Sequence, residues 1–518
     1  MSLRFKGPLA DSYPAAVILV VFALVPYLAL TAALTPLTPL IAKSLHLSKS
    51  SLELTNGMAN AAYALGTVLA VQLAVHLPGR RLLVLYATLF VIGSVLAASA
   101  LTPGLYIAGH VVQGLTTSLM LIAAVPPLVI GWPTSRMRWT GVTMNLCIFG
   151  AVAAGPVIGG VQAAAGGWRA LFWIITGFGA VALLFSLLTF EDAPPQDRGA
   201  PWDFVALLLA ATGCAAIFFG ASELLGHRLL DAMVLGPMVG GAVLIAALVI
   251  YEFVIGHPLM PVRQIATTIP VVGVIIAMTA GAASVAVIEI VQTLLAARTS
   301  PGHLATLFWP QVGGAAASAL LFGLVFRTRF VAVLAFAGMA LVAAGAAVVS
   351  GVANGPQTLV AVGSGLLGLG VGASVSPALF MAGFSMRSAQ IQRVFALVEL
   401  LRGVAAFMVA PLLLHLAMTT GGSPAAGGQT AIWAALGIAA GGGIAGLGLF
   451  VLGRAPLQRP ALERWEAGDE PAWDSPPVLA RLRGRGGPGS QDSPAEARAA
   501  ARSGRLSASS SGPSSGSG

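Results

Sequence analysis

The sequence predicts an all-α polytopic membrane protein: two six-helix halves, two extra helices between them, about fourteen transmembrane helices in all, and a disordered C-terminal tail. Three observations carry this. The 518 residues are 57% hydrophobic and only 9% charged, outside the range of soluble domains. Apolar runs of about 20 residues or more recur along most of the chain, each long enough to cross a bilayer core. Markers in the first half of the sequence return in register in the second.

Taken in order, the spans are expected near residues 15–42, 54–77, 82–101, 105–131, 140–165, 169–190, 203–225, 231–254, 269–296, 303–326, 330–350, 357–383, 393–418 and 429–453. The first run is too long for a signal-peptide core and no clear cleavage site follows it, so it reads as a retained helix. Residues 1–14 precede it, 15–190 form the N-terminal half, 191–268 hold the two inserted helices, and 269–453 form the C-terminal half. From Arg454 the composition turns to Pro, Gly, Ser and Arg, so 454–518 are expected to be disordered, with docking of Trp465 and Trp473 on the membrane surface or a partner as the alternative.

Charge orients the chain. Arg4 and Lys6 precede span 1, Arg80 and Arg81 follow span 2, and Arg136 and Arg138 follow span 4. Arg263, Arg327, Arg329 and Arg387 follow spans 8, 10 and 12. With an even number of spans these share one side, which is placed in the cytoplasm with both termini. Lys43, Lys49, Arg228 and Arg298 fall on the other side. The net charge of +9 thus reads as topology and anionic-lipid contact, not as a nucleic-acid surface.

The repeat is specific. Leu105-x-x-x-Gly109-x-x-x-x-Gly114-Leu115 in span 4 recurs as Leu359-x-x-x-Gly363-x-x-x-x-Gly368-Leu369 in span 12. The basic loop after span 2 matches the one after span 10, and Gly155-Pro156 in span 5 finds Ala410-Pro411 in span 13. Parallel halves of this kind are a transporter architecture.

Span 5 carries the clearest motif: Gly150, Gly155, Pro156, Gly159 and Gly160, followed by Trp168-Arg169-x-x-Phe172. Small residues let helix backbones approach in lipid, and the proline removes one helical hydrogen bond and bends the rod. This run resembles the fifth-helix motif of major facilitator superfamily antiporters, and the whole membrane portion resembles their fourteen-span drug:proton branch. The resemblance implies the major facilitator fold, alternating access, and export of hydrophobic drugs against protons. Three positions depart from the family pattern. The loop Gln72-Leu-Ala-Val75-His76-Leu-Pro-Gly79-Arg80-Arg81 keeps its basic end but has His76 in the register of an acid. Span 4 has His110 where the family has an arginine, and span 1 has no carboxylate. The fold expectation survives these changes; proton coupling is left open by them.

Ionisable groups inside lipid are functional candidates by default. Glu289 in span 9 either carries a proton or meets a cationic substrate in place of the missing span 1 acid, or is a structural residue near the outer end, protonated or bonded to Gln292. Glu399 and Arg402 are three residues apart on one helix face, as a buried pair or as a gate. His110 either titrates or is packed against a neighbour such as Gln113. Asn56, Asn60, Tyr63 and Thr67 recur at helical spacing and form one polar stripe that lines a substrate path or bonds neighbouring helices; Asn145 has the same two readings, and Gln113 is a further substrate-path candidate. Glu223 reads as interfacial, beside His227 and Arg228.

Cys147 and Cys214 lie inside apolar spans, and the sequence shows no metal-ligand cluster, phosphate loop or nucleophile–base set. No cofactor, no metal and no enzymatic activity are expected. The leading expectation is a monomeric secondary exporter of amphiphilic or cationic small molecules in a bacterial inner membrane, exchanging them for protons. An uncoupled facilitator and a membrane sensor or scaffold that uses its tail remain as alternatives.

Overall fold

Lipid leaves backbone polar groups no outside partner, so the apolar runs must close their own hydrogen bonds as helices. The computed structural model describes residues 6–189, 191, 201–296, 298–352, 355–468 and 470–483. Among them are fourteen helices long and apolar enough to span a membrane. Spans 1–6 are Tyr13–Leu45, Lys49–His76, Gly79–Ala98, Pro103–Ile130, Thr134–Ala164 and Arg169–Leu188. Spans 7 and 8 are Phe204–Glu223 and Ala232–Val254. Spans 9–14 are Thr268–Ala296, Pro301–Val325, Val331–Ser350, Thr358–Phe384, Ser388–Thr419 and Pro424–Leu452. Arg4 and residues 484–518 lie outside the described residues. Short loops make successive spans antiparallel. Span 1 therefore starts, and span 14 ends, at one face, called here the terminal face; the opposite one is the far face.

The two halves pack alike. Span 4 lies against spans 2 and 3 in the first half, and span 12 lies against spans 10 and 11 in the second. Spans 1 and 5 pair as spans 9 and 13 do. The repeated glycines sit at these contacts. A Cβ on Gly109 would meet the span 3 backbone at 2.6 Å, and one on Gly363 would meet span 11 at 3.1 Å. The halves meet along two seams, span 2 against span 13 and span 5 against span 10. Spans 7 and 8 pack on each other, and span 7 lies against spans 2 and 13.

Span 5 is not one regular α-helix. The chain is α-helical over Thr134–Asn145, takes a π-helical turn over Leu146–Gly150, and resumes as Ala151–Ala164. The irregular turn lies just before Pro156, in a class of feature that kinks helices. The motif glycines divide by role. A Cβ on Gly155 would lie 2.7 Å from the Ala32 backbone, and one on Gly159 would lie 2.8 Å from Pro36 Cγ, both in span 1. One on Gly160 would meet the Pro301 carbonyl of span 10 at 2.7 Å. Gly150 has only Leu146 nearby, at 3.5 Å, so it makes no close helix contact. Gly159→Val should therefore cost about 1–3 kcal/mol through overpacking, while Gly150→Ala should leave the thermal midpoint in detergent nearly unchanged. Equal midpoints for the two variants would contradict this packing.

The tail differs from expectation over its first part. Residues 455–468 and 470–483 are docked on the terminal face, with Leu462, Trp465, Ala472 and Trp473 buried. The physical reason is local: two tryptophans and a leucine supply apolar area that the average composition of the tail conceals.

Candidate functional site

Near the middle of the membrane thickness, the span 2–span 13 seam holds a buried charge pair. Glu399 and Arg402 are one turn apart on span 13 and 3% and 7% exposed. Arg402 Nε donates to Glu399 Oε2 at 2.9 Å, and a second guanidinium nitrogen donates to Oε1. The fork geometry suits a bidentate carboxylate contact. Across the seam, Tyr63 Oη donates to Glu399 Oε1 at 2.8 Å. Gly281 of span 9 leaves room for the Arg402 stem, since a Cβ there would sit 3.3 Å from Arg402 Cγ. Tyr27 of span 1 stacks on Tyr63 with centroids 6.2 Å apart.

The other seam carries a neutral counterpart. Asn145 Nδ2 donates to the Gly372 carbonyl of span 12 at 2.9 Å, and Ser318 Oγ of span 10 donates to Asn145 Oδ1 at 3.4 Å. Asn145 and Glu399 stand at the same offset as Gly109 and Gly363. The repeat thus places one polar cross-link between the halves at each seam, one neutral and one charged.

Tyr63→Phe removes the only part of Tyr63 that reaches Glu399. A hydrogen bond to a charged group is worth about 1.5–3 kcal/mol, so the thermal midpoint should fall. The same change in a Glu399→Gln background should cost much less. Equal costs in the two backgrounds would show that the contact does not couple the halves.

His110 and Gln113 do not face this seam. His110 Nδ1 pairs with Gln113 Oε1 at 3.2 Å, and Gln113 Nε2 donates to Ser94 Oγ of span 3 at 2.9 Å. The imidazole stacks on Tyr106 (5.8 Å, 13°) and lies near Tyr27 and Phe172. Both side chains are buried in the N-terminal half, the packed arrangement of the two expected for His110.

On the far-face side of the charge pair lies a second set. Asn56 and Asn60 on span 2 are half-buried, and a buried Asn56 Oδ1 has no partner among the described residues. The stripe extends one turn further, to Glu53. Glu53 lies within electrostatic reach of Glu289 on span 9, in the opposite half. Among the described residues no hydrogen bond is made to the half-buried Glu289 carboxylate, and Gln292 has a buried Oε1 without a partner. Glu53 escapes a sequence reading because it stands in the first turns of span 2, where a charge reads as interfacial. Its place three residues before Asn56 was the available signal.

At the terminal face the halves are closed on each other. Gln392 Nε2 of span 13 donates to the Ile122 carbonyl of span 4 at 3.1 Å. Gly141 of span 5 meets Phe322 and Phe326 of span 10, where a Cβ would find ring carbons at 3.1 and 3.2 Å. The loop motif is rebuilt around span 7. Gly79 opens span 3, ahead of Arg80 and Arg81. His76, in the register of the family acid, stacks on Trp202 at 4.4 Å, while Gln72 Oε1 accepts from Asp203 N at 3.3 Å. At the far face Arg169 ties two loops together, donating to Ser44 Oγ and the Ala100 carbonyl. Glu223 lies 3.6 Å from His227. Among the described residues no group of three or more His, Cys, Asp or Glu is placed to hold a metal.

Comparison with known proteins gives a consistent picture. The Major Facilitator Superfamily model matches residues 20–287. An uncharacterized MFS-type transporter of Bacillus subtilis (strain 168) is 28% identical over 251 residues, 46% of this chain and 47% of that protein. A multidrug resistance protein B homolog of Mycobacterium tuberculosis is 30% identical over 189 residues, 36% of this chain and 34% of its own. The tetracenomycin C resistance and export protein of Streptomyces glaucescens is 25% identical over 44% of this chain and 42% of its own. The matches thus span less than half the length of these relatives. Among solved structures, the human organic anion transporter TETRAN superposes with a TM-score of 0.58 at 12% identity, over 84% of this chain and 99% of that one. That likeness concerns the fold.

Proposed function

The chain belongs to the major facilitator superfamily, and from that premise we propose that it exports amphiphilic or cationic small molecules in exchange for protons by alternating access. The observation that carries this reading is the position of Glu289, a half-buried carboxylate inside span 9 to which no hydrogen bond is made among the described residues. An unpaired acid inside lipid is costly, and a site that trades a proton for a cation gives it a use. In this scheme residues 15–190 and 269–453 rock against each other, and the inserted pair within 191–268 rides on the span 2–span 13 seam. Tyr63, Glu399 and Arg402 hold that seam, while Asn56 and Asn60 line the route to the far face. Asn145 fastens the second seam.

The basic loops orient the terminal face to the cytoplasm, in a bacterial inner membrane. The similarity to proteins named for multidrug resistance and tetracenomycin export supports a drug-like substrate class. The protein works as a monomer and needs no cofactor. A second reading, an uncoupled facilitator, draws on the absence of a carboxylate from span 1. Reconstitution in liposomes with an imposed pH gradient separates the two. Ethidium movement that follows the gradient supports exchange, and movement that ignores it supports the facilitator. No movement of ethidium or other lipophilic cations would contradict the substrate class.

A further inference from the structure

The docked tail engages groups that a helix end leaves open. Helix termini present carbonyls and N–H groups without intrahelical partners. At the end of span 12, Trp465 Nε1 donates to the Met386 carbonyl at 2.8 Å, and Trp473 N donates to the Phe384 carbonyl at 3.1 Å. At the start of span 9, Thr268 N donates to the Pro476 carbonyl at 2.9 Å, and Ile269 N donates to Ser475 Oγ at 2.9 Å. Phe384 is held edge-on between Trp465 and Trp473, with centroids 5.0 and 5.8 Å away. The segment also closes on itself, through Ala461 N to the Ala472 carbonyl at 2.9 Å.

These anchors all belong to the C-terminal half, but the tail reaches the other half too. The short helix Leu462–Glu466 packs against the first part of span 5, in one buried cluster with Met137. The start of span 5 and the ends of spans 10 and 12 must part if the terminal face is to open by rocking of the halves. A segment fixed to one half and packed on the other opposes that separation. An open pocket of about 380 Å³ lies beside it, lined by Gln264, Ser385, Met386, Arg387, Gln390 and Pro471.

We propose that residues 455–483 are an autoinhibitory latch that holds the terminal face closed and has to lift for the cycle to proceed. This rests on the alternating-access reading above, so its test reads geometry rather than flux. Spin labels on cysteines at Ser135 and Arg327, both exposed, report the gap between the start of span 5 and the end of span 10. The full chain is used in lipid nanodiscs, with Cys147 and Cys214 changed to alanine. Wild type should give one short distance. Trp465→Ala should raise the population of a longer distance about tenfold. Trp465→Phe, which keeps the ring packing and loses only the bond to Met386, should give a smaller rise and guards against a misfolded alanine variant. Distance distributions identical to wild type in both variants would overturn the latch. Ethidium export measured on the same proteins keeps the two ideas apart. Faster export in Trp465→Ala supports the latch. Absence of export in wild type as well would count against the transport reading and leave the distance result to decide the latch.

Discussion

Arg402→Ala is expected to cause the largest loss of stability of any single change in the membrane portion, and removal of the Glu399 charge in the same chain is expected to recover most of it. Glu399 is buried, and both of its oxygens accept from Arg402. Without the guanidinium, Tyr63 alone faces the carboxylate. Breaking a buried pair by removing one partner costs about 3–5 kcal/mol, because an uncompensated charge stays behind. Replacing both partners is far cheaper for the same reason, so Glu399→Gln with Arg402→Gln should unfold within a few degrees of wild type. Charge reversal of both residues should likewise be tolerated better than either reversal alone. The check is thermal unfolding in detergent for the two single variants and the double. If Arg402→Ala unfolds at the wild-type temperature, the pair is not what keeps Glu399 in the seam.

Much of this arrangement is legible in the sequence where its cause is local. The apolar runs mark fourteen spans because lipid forces each run into a helix. Gly109 and Gly363 announce the repeat because each faces a backbone that admits no Cβ without a shift. Gly155, Gly159 and Gly160 read correctly as close contacts for the same reason. Gly150 shares their motif yet touches nothing beyond its own helix, so spacing alone overstates it. The proximity of Glu399 to Arg402 follows from a three-residue separation.

What joins distant parts of the chain is not legible. Nothing in the sequence shows that Tyr63 reaches Glu399, or that Asn145 reaches Gly372 and Ser318. Those bonds depend on how the two halves dock. The position of His110 had the same obstacle, since its neighbours Tyr27 and Phe172 come from other spans. Glu53 was hidden by its place near a helix end, and the tail by averaging. A few apolar residues are enough to seat residues 455–468 and 470–483, because the surface they meet offers unpaired carbonyl and N–H groups.

Glu289→Gln is expected to abolish proton-driven transport while leaving the fold intact. The substitution keeps the shape and removes the titratable oxygen. No hydrogen bond among the described residues is lost with it. Insertion and the thermal midpoint therefore serve as controls that a merely structural residue would fail.

The most direct measurement is ethidium accumulation in proteoliposomes under an imposed pH gradient, wild type beside Glu289→Gln, with dissipation of the gradient as the third arm. The account predicts gradient-driven accumulation in wild type, its collapse when the gradient is removed, and at least about a hundredfold loss in the variant, the size expected when an essential proton-transfer group is deleted. Gradient-driven accumulation by Glu289→Gln at the wild-type rate would contradict it.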